Sequence, residues 1–505
     1  MQFNVKQGFV QDAATGLLVV NCFEGVTEPS GALKAVDQAL NGLISQVLAA
    51  GDYQGKLGET LLLYSGGALP AQRVLITGLG KPADFGVAQA RKASAAAARQ
   101  ARDLGVTRLA TVVHGAGQGG LDAVVAGQAL VEGTLLGGYR YRGYKRDSGD
   151  NNKPEIAEVT VLEADPGKLA AVQQGVVIGQ AVGEAANWAR DLVNEPPNYL
   201  TPRELARRVV ERAAAVGLKT QVLGEAEMAE LGMGSLLGIA RGSDEEAQFI
   251  VLEHVPQGVD GQGLATVALV GKAITFDTGG ISIKPAENMW KMKDAMGGGA
   301  ATAAALVAAA SLNLPVHAVG LIAATENMPG GDAIKPSDVV TALNGKTVEI
   351  ISTDAEGRQV LADALCYAAR YQPDAVVDIA TLTGAIGIAL GPELGGLFCD
   401  DATLRDRLLH AGEWTGESLW SMPLWKPYRR LLDTDAADMK HTGGRLGGSI
   451  TAALFLREFA GEQPWAHLDI ASVAWQEENS AFAVRGASGF GARLLFELLR
   501  AYGGG

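Results

Sequence analysis

Cysteines, aromatic residues and long apolar runs are all scarce in this 505-residue chain, and each shortage excludes something. The three cysteines, Cys22, Cys366 and Cys399, show no C-x-x-C spacing. So sparse and odd a set speaks for a reducing compartment and against a disulfide framework. Cys366 lies in an apolar helical run and reads as core. Aromatics make up 6% of the chain, whereas glycine occurs 66 times; small residues in such number suit helices packed closely on sheets. No run of about 18 apolar residues escapes interruption by charge or glycine, so no membrane span is expected. The opening residues, Met1-Gln2-Phe3-Asn4-Val5-Lys6, lack the layout of a signal peptide. Basic charge is also short. Forty-two Lys and Arg against 56 Asp and Glu leave a net charge of −14, which argues against a nucleic-acid partner held by general electrostatics. Arg140–Arg146 is the most basic local stretch.

The size implies more than one domain, and 48% hydrophobic with 19% charged residues describes a soluble globular chain. Strand-like and helix-like runs alternate throughout, which is the pattern of an α/β protein. In residues 1–165, a smaller N-terminal α/β domain, strands are expected at Gly16–Cys22, Thr60–Tyr64, Arg73–Gly78, Arg108–His114 and Glu158–Glu163, and helices at Ser30–Ala50 and Ala88–Leu104. Gly115-Ala116-Gly117-Gln118-Gly119-Gly120 fits G-x-G-x-x-G after a strand. With no ribose-binding acid at the expected distance, it reads as a strand-to-helix turn rather than a nucleotide loop. Lys145–Asn152 reads as an exposed polar loop.

A linker helix is expected within residues 166–193, over Leu169–Asp191, and the prolines of Asn194–Pro202 stop it. Thr201 then caps the next helix, with Pro202 at its first position. Residues 194–505 form the larger lobe. Its expected strands are Lys219–Leu223, Gln248–Glu253, Thr266–Val270, Val316–Ala323, Ala375–Asp378 and His467–Ile470. Its expected helices are Ala300–Ser311, Val360–Ala369 and Ile450–Phe459. The fold class is therefore α/β with two lobes, each a mainly parallel or mixed sheet flanked by helices.

Two segments of the larger lobe carry chemistry. The apolar run Thr347–Ile351 stops at Asp354 and Glu356, followed by Arg358 and a helical pattern; carboxylates at a strand end suit cations, and Arg358 suits an anion. The alternative on this segment alone is a charged turn with an ordinary salt bridge. In the other, the buried run Val267–Gly271 is followed by Lys272, Asp277, Gly279-Gly280, Lys284 and Asp294. A lysine among apolar residues is costly unless paired, or neutral and coordinating. Two such ends could hold two metal ions that activate a water and clamp a carbonyl, or form a buried Lys–Asp–Glu network.

Val270-Gly271-Lys272-Ala273-Ile274-Thr275-Phe276-Asp277-Thr278-Gly279-Gly280-Ile281-Ser282-Ile283-Lys284-Pro285 and Ser352-Thr353-Asp354-Ala355-Glu356-Gly357-Arg358 resemble the leucyl aminopeptidase family. Asn327-Met328-Pro329, Asp378–Ala385 and His467–Ala471 extend the resemblance, which is close over about Asn194–Phe496 and looser before it. It implies a metal-dependent aminopeptidase that releases N-terminal residues, with leucine-type preference, from peptides. It further implies two divalent ions (Mn or Zn), bicarbonate, a cytoplasmic homohexamer and no membrane attachment. Lys272, Asp277, Asp354 and Glu356 match metal ligands, Asp277 and Glu356 bridging. Lys284 matches the residue that polarises the scissile carbonyl, and Arg358 the one that holds bicarbonate. Met292, Thr381 and Gly384 match the pocket for the substrate's first side chain, with plain packing as the alternative.

In one place the chain departs from the family pattern. Counted from Lys284, the position of a further aspartate ligand falls on Ala295, and Asp294 stands one residue early. One position is about 100° on a helix, or the opposite face of a strand. Asp294 takes the ligand's place only if the preceding loop is effectively one residue shorter and a compensating bulge follows; otherwise the departure puts the second metal site in doubt. It implies either an enzyme of reduced activity, which Ala295→Asp would raise, or a non-catalytic member kept as a structural or binding protein. Ser352 and Gln359 are smaller departures.

Overall fold

β-branched and apolar runs build one large sheet in each of the two units into which the chain divides, Met1–Asn187 with Glu478–Arg485, and Trp188–Glu477 with Gly486–Gly505. The structure, a computed structural model, describes residues 1–145, 153–258, 263–479 and 484–504; most of the expected Lys145–Asn152 loop lies outside them.

In the first unit the strands are β1 (Gln2–Gln7), β2 (Leu17–Cys22), β3 (Thr60–Tyr64), β4 (Arg73–Gly78), β5 (Arg108–Val112) and β6 (Glu158–Glu163). They form one sheet in the order β1-β6-β5-β2-β4-β3, parallel except for the β3–β4 pair. The helices are α1 (Gly31–Ala39), α2 (Leu43–Ala50), α3 (Val87–Asp103) and α4 (Ala123–Gly138), and α5 (Leu169–Asn194) follows. The single expected helix Ser30–Ala50 is two, because Asn41 and Gly42 take φ of 54° and 78°, a left-handed step that ends the first helix. Helix α4 was not among the expected elements, and it carries four glycines. They serve close packing: a Cβ on Gly133 would lie 2.3 Å from the Arg91 carbonyl oxygen of α3.

The second unit begins with α6 (Pro202–Ala215), β7 (Lys219–Leu223), α7 (Glu225–Leu231), α8 (Gly234–Ala240), β8 (Gln248–His254), β9 (Thr266–Asp277), α9 (Gly297–Ser311) and β10 (His317–Asn327). It continues with β11 (Val339–Thr341), β12 (Thr347–Glu349), α10 (Glu356–Ala368), β13 (Ala375–Ala380), α11 (Gly384–Leu390) and β14 (Gly395–Cys399). The last elements are α12 (Ala402–Thr415), β15 (Leu419–Met422), β16 (Met439–Lys440), α13 (Gly448–Arg457), β17 (Trp465–Asp469) and α14 (Ala492–Tyr502). The large sheet runs β15-β14-β17-β13-β9-β10-β8-β7. Its central strands β10, β9, β13 and β17 are mutually parallel, so Asn327, Asp277, Ala380 and Asp469 end at one edge. Helices cover both faces. Among the described residues, no helix is long and apolar enough to cross a membrane.

Two expectations change here. Strand β9 does not stop near Val270 but runs to Asp277, because Ala273 and Ile274 stay buried and β10 lengthens beside it. Lys272 is therefore inside a central strand rather than beyond its end. The Thr347–Ile351 run, of which Thr347–Glu349 forms β12, lies not in the large sheet but in a separate one with β11 and β16.

Helix α9 opens with three glycines because it leans on the sheet. A Cβ on Gly298 would stand 2.0 Å from the Ile379 carbonyl oxygen of β13. Helix propensity alone would favour alanine there by about 1 kcal/mol. The overpacking outweighs it, so Gly298→Ala is expected to destabilise by roughly 1–3 kcal/mol in denaturant unfolding. A stabilised variant would contradict this packing.

Candidate metal centre

Three carboxylates from two segments meet at the strand-end edge of the large sheet. Asp277 closes β9, Asp354 stands in the turn before α10, and Glu356 is the first residue of α10. One oxygen of each lies within 4.8 Å of the others. Such crowding of like charge persists only with nearby cations. Lys272 Nζ lies 2.6 Å from Glu356 Oε1 with both side chains 3% exposed, and it donates to the Thr381 carbonyl oxygen at 2.8 Å. Lys284 Nζ lies 2.9 Å from Asp277 Oδ2 and also pairs with Asp354.

The loops that carry these groups are stapled to each other. Gly279 and Gly280 turn the chain with φ of 87° and 64°. Thr353 Oγ1 donates to the Gly279 carbonyl at 2.6 Å and accepts from Ser282 N–H at 2.8 Å. Asp277 Oδ1 accepts from Gly279 N–H at 2.9 Å and from Asn327 Nδ2 at 2.8 Å. Neutral His441 holds the other loop: its Nε2–H donates to the Ser352 carbonyl at 2.8 Å while Nδ1 accepts from Ile351 N–H at 3.2 Å. Burial, with Arg358 nearby, pushes the His441 pKa down to about 4. Asp469, ending β17, fixes the 381–383 turn by accepting from the Leu382 and Thr383 amides and from Thr383 Oγ1 at 2.6 Å. No sequence signal marked His441; Asp469 stood in a motif that gave it no role.

Burial is the main force on Glu356 and Asp354. It raises the pKa of Glu356, helped by Asp277 and opposed by Lys272, and raises that of Asp354 against the pull of Lys284. Lys284 is itself desolvated, but Asp277, Glu356 and Asp354 together hold it charged, above its ordinary pKa. Arg358 is buried at 6% exposure and donates from Nη1 to the His441 carbonyl at 2.8 Å. Its Nε is buried without a partner among the described residues, an orphaned donor suited to an anion. Burial pushes its pKa down to about 10, with Glu356 and Asp469 pulling it up.

Asp294, not Ala295, feels this centre. The two lie in the 3₁₀ segment Met289–Met296, where each residue advances about 120° rather than 100°. Ala295 packs into the hydrophobic core. Asp294 senses Lys272, Lys284 and Asp277, and burial pushes its pKa up to about 7. It is not one of the three acids within mutual reach. An acid at Ala295 would enter this core and bury a charge. Gln359 is accommodated through a hydrogen bond from Ser235. Thr381 is tied to the centre through Lys272, and its Oγ1 is buried without a partner among the described residues. Gly384 starts α11, where a Cβ would meet nothing within 4 Å. Met292 is half-buried two residues before Asp294.

The chain as a whole is similar to known proteins. The model of the cytosol aminopeptidase family, catalytic domain, matches residues 187–496, and that of the same family's N-terminal domain matches residues 19–148. A probable cytosol aminopeptidase of Roseiflexus castenholzii is 46% identical over 501 residues, 99% of each chain. One of Geobacter sulfurreducens is 43% identical over 485 residues, 96% of each. Among solved structures, the bottromycin maturation enzyme BotP in complex with Mn superposes with a TM-score of 0.85 at 38% identity, covering 97% of this chain and 100% of that one. A mutant of tomato leucine aminopeptidase superposes with a TM-score of 0.88 at 31% identity, covering 99% and 96%.

Carboxylates bind a cation only when deprotonated. Asp294 loses its proton near pH 7, so Mn²⁺ affinity of metal-stripped protein is expected to rise with pH through that value. Calorimetry in buffers of different ionisation heat would show proton release. Asp294→Asn should remove this step; its persistence in the variant would show that Asp294 takes no part.

Proposed function

The chain belongs to the cytosol aminopeptidase family, a metal-dependent aminopeptidase, and from that premise we propose a two-metal enzyme that releases N-terminal residues, preferentially leucine-like ones, from peptides. The observation that carries this is the convergence of Asp277, Asp354 and Glu356 around the ammonium groups of Lys272 and Lys284. Those ammonium groups stand where positive charge is required, and the hard oxygen donors suit divalent cations.

Asp277 and Glu356 would bridge two ions, Lys272 would hold one through its deprotonated amine, and Asp354 would hold the other. Asp294 would do the work of the missing acid at Ala295. When bound, Mn or Zn ions supply a water of lowered pKa and Lewis-acid polarisation. Manganese is favoured by the likeness to the Mn-bound BotP structure, and leucine preference by the likeness to tomato leucine aminopeptidase.

The chain's own residues do the rest. Lys284, held charged by its acidic neighbours, hydrogen-bonds the scissile carbonyl oxygen and stabilises the charge that develops on it. Arg358, with its orphaned Nε, would hold bicarbonate, a proton acceptor for the attacking water. The open space over Gly384, with Met292 and Thr381, receives the first side chain. Assembly as a hexamer in the cytoplasm fits the family and the three free cysteines.

A second reading, a non-catalytic binding protein, is favoured by one feature, the apolar packing of Ala295. Hydrolysis of leucine p-nitroanilide with added Mn or Zn decides between the two. Turnover is expected, and Lys284→Ala should lower kcat by roughly 10²–10³. Asp294→Ala should cut activity while Ala295→Asp lowers the melting temperature without raising turnover. No hydrolysis of any aminoacyl amide with either metal would favour the binding protein.

A further inference from the structure

The first unit holds a cavity of about 420 Å³, within the ~300–1,000 Å³ span of small-molecule sites. Its place in the fold is specific. From β2 the chain proceeds to β3 and β4 on one side of the sheet, and from β5 to β6 on the other, while β2 and β5 are parallel neighbours. The crevice beyond the carboxyl ends of such a strand pair is where open α/β sheets bind ligands. The cavity lies there, walled by the residues following β2 and β5 and by those ending β1 and β6.

The Gly115–Gly120 turn forms one wall. Two of its glycines are explained by packing: a Cβ on Gly115 or Gly119 would meet the Phe85 ring at 2.4 or 2.6 Å. Gly117 is different. Its φ is outside the left-handed region and a Cβ there would touch nothing within 4 Å. Neither backbone nor neighbours require glycine, whereas a ligand drawn close to the backbone would. Among the described residues, the Ala116, Gly117, Gln118 and Gly119 amides have no backbone acceptor. Opposite them, α1 starts at Ser30 with no side-chain cap, since Ser30 Oγ is turned to Gln118 Oε1 at 3.1 Å. Its first amides are open to an anion. Asp122 already caps α4, so the anion position is at α1 and the turn, beside Lys168, whose Nζ lies 3.3 Å from the Ala116 carbonyl oxygen.

The acid absent at the usual sequence distance is present in space. In dinucleotide-binding βαβ units the glycine loop follows one strand, and an acid at the end of the next strand binds the ribose diol. Here the turn follows β5, the next strand is β6, its parallel neighbour, and β6 ends in Glu163, which lines the cavity. Residues 139–157 between α4 and β6 lengthen the spacing. Glu163 Oε1 accepts from Asp165 N–H at 2.8 Å, which leaves Oε2 for a ligand. At the rim, Phe9 is 58% exposed and offers a ring for stacking.

We infer that the N-terminal unit binds a ribonucleoside phosphate: phosphate at the 116–119 amides and the start of α1, ribose at Glu163, base against Phe9. The site is independent of the metal centre. Calorimetric titration of the full-length, EDTA-treated protein with AMP tests it, since chelation removes phosphate binding to active-site metal. One saturable site per chain is expected, with AMP preferred over 2′-deoxy-AMP and over inorganic phosphate. Gly117→Val should weaken AMP at least about tenfold at an unchanged melting temperature, and Glu163→Ala should abolish the ribose preference. No AMP binding without metal, equal binding of inorganic phosphate, or an unaffected Gly117→Val variant would each overturn the assignment. Should either variant misfold, the three-ligand comparison on the parent protein decides alone. Loss of peptidase activity would not bear on it.

Discussion

The buried contact between Lys272 and Glu356 is what the larger unit is arranged to allow. Neither side chain reaches water, and an isolated charge in such a place is forbidding. Removing one partner of a buried pair typically costs about 3–5 kcal/mol, because the other is left uncompensated. The pair survives because β9 carries the lysine in a central strand while α10 presents the glutamate at its first turn, where the helix dipole favours negative charge. Asp277, Asp354 and Lys284 extend it into an alternating cluster. A protein interested only in stability would fill this volume with apolar side chains; keeping five charges here makes sense as readiness for cations.

The supports are of another kind. Thr353, Asn327, His441 and Asp469 bind loops to one another through neutral or singly charged hydrogen bonds. None carries the expected chemistry, yet each fixes a backbone that does. The parallel run of β10, β9, β13 and β17 brings Asn327 and Asp469 to the edge where Asp277 ends, so sheet direction is itself part of the site.

Much of this was legible in the chain. Strands β3, β4, β6 and β7 lie where their β-branched and apolar runs place them, and Asp277, Asp354, Glu356 and both lysines stood out as charges set against apolar sequence. What was hidden depended on space. The extension of β9 through Lys272 needs Glu356, 84 residues on, to neutralise it. The separate β11-β12-β16 sheet could not be told from a strand of the main one, because a short apolar run does not name its neighbours. At Asp294 and Ala295 the sequence gives a one-residue offset, but which side chain faces the acids depends on the 3₁₀ winding of that segment.

Asp277, Asp354 and Glu356 are the acids that a paired cation site would need. Anomalous diffraction from crystals grown with Mn²⁺ reads this most directly. Two adjacent peaks, both touching Asp277 and Glu356, with Asp354 and Lys272 on opposite flanks, are the predicted result. A single peak, or none, with the Lys284 ammonium still seated between Asp277 and Asp354, would contradict it.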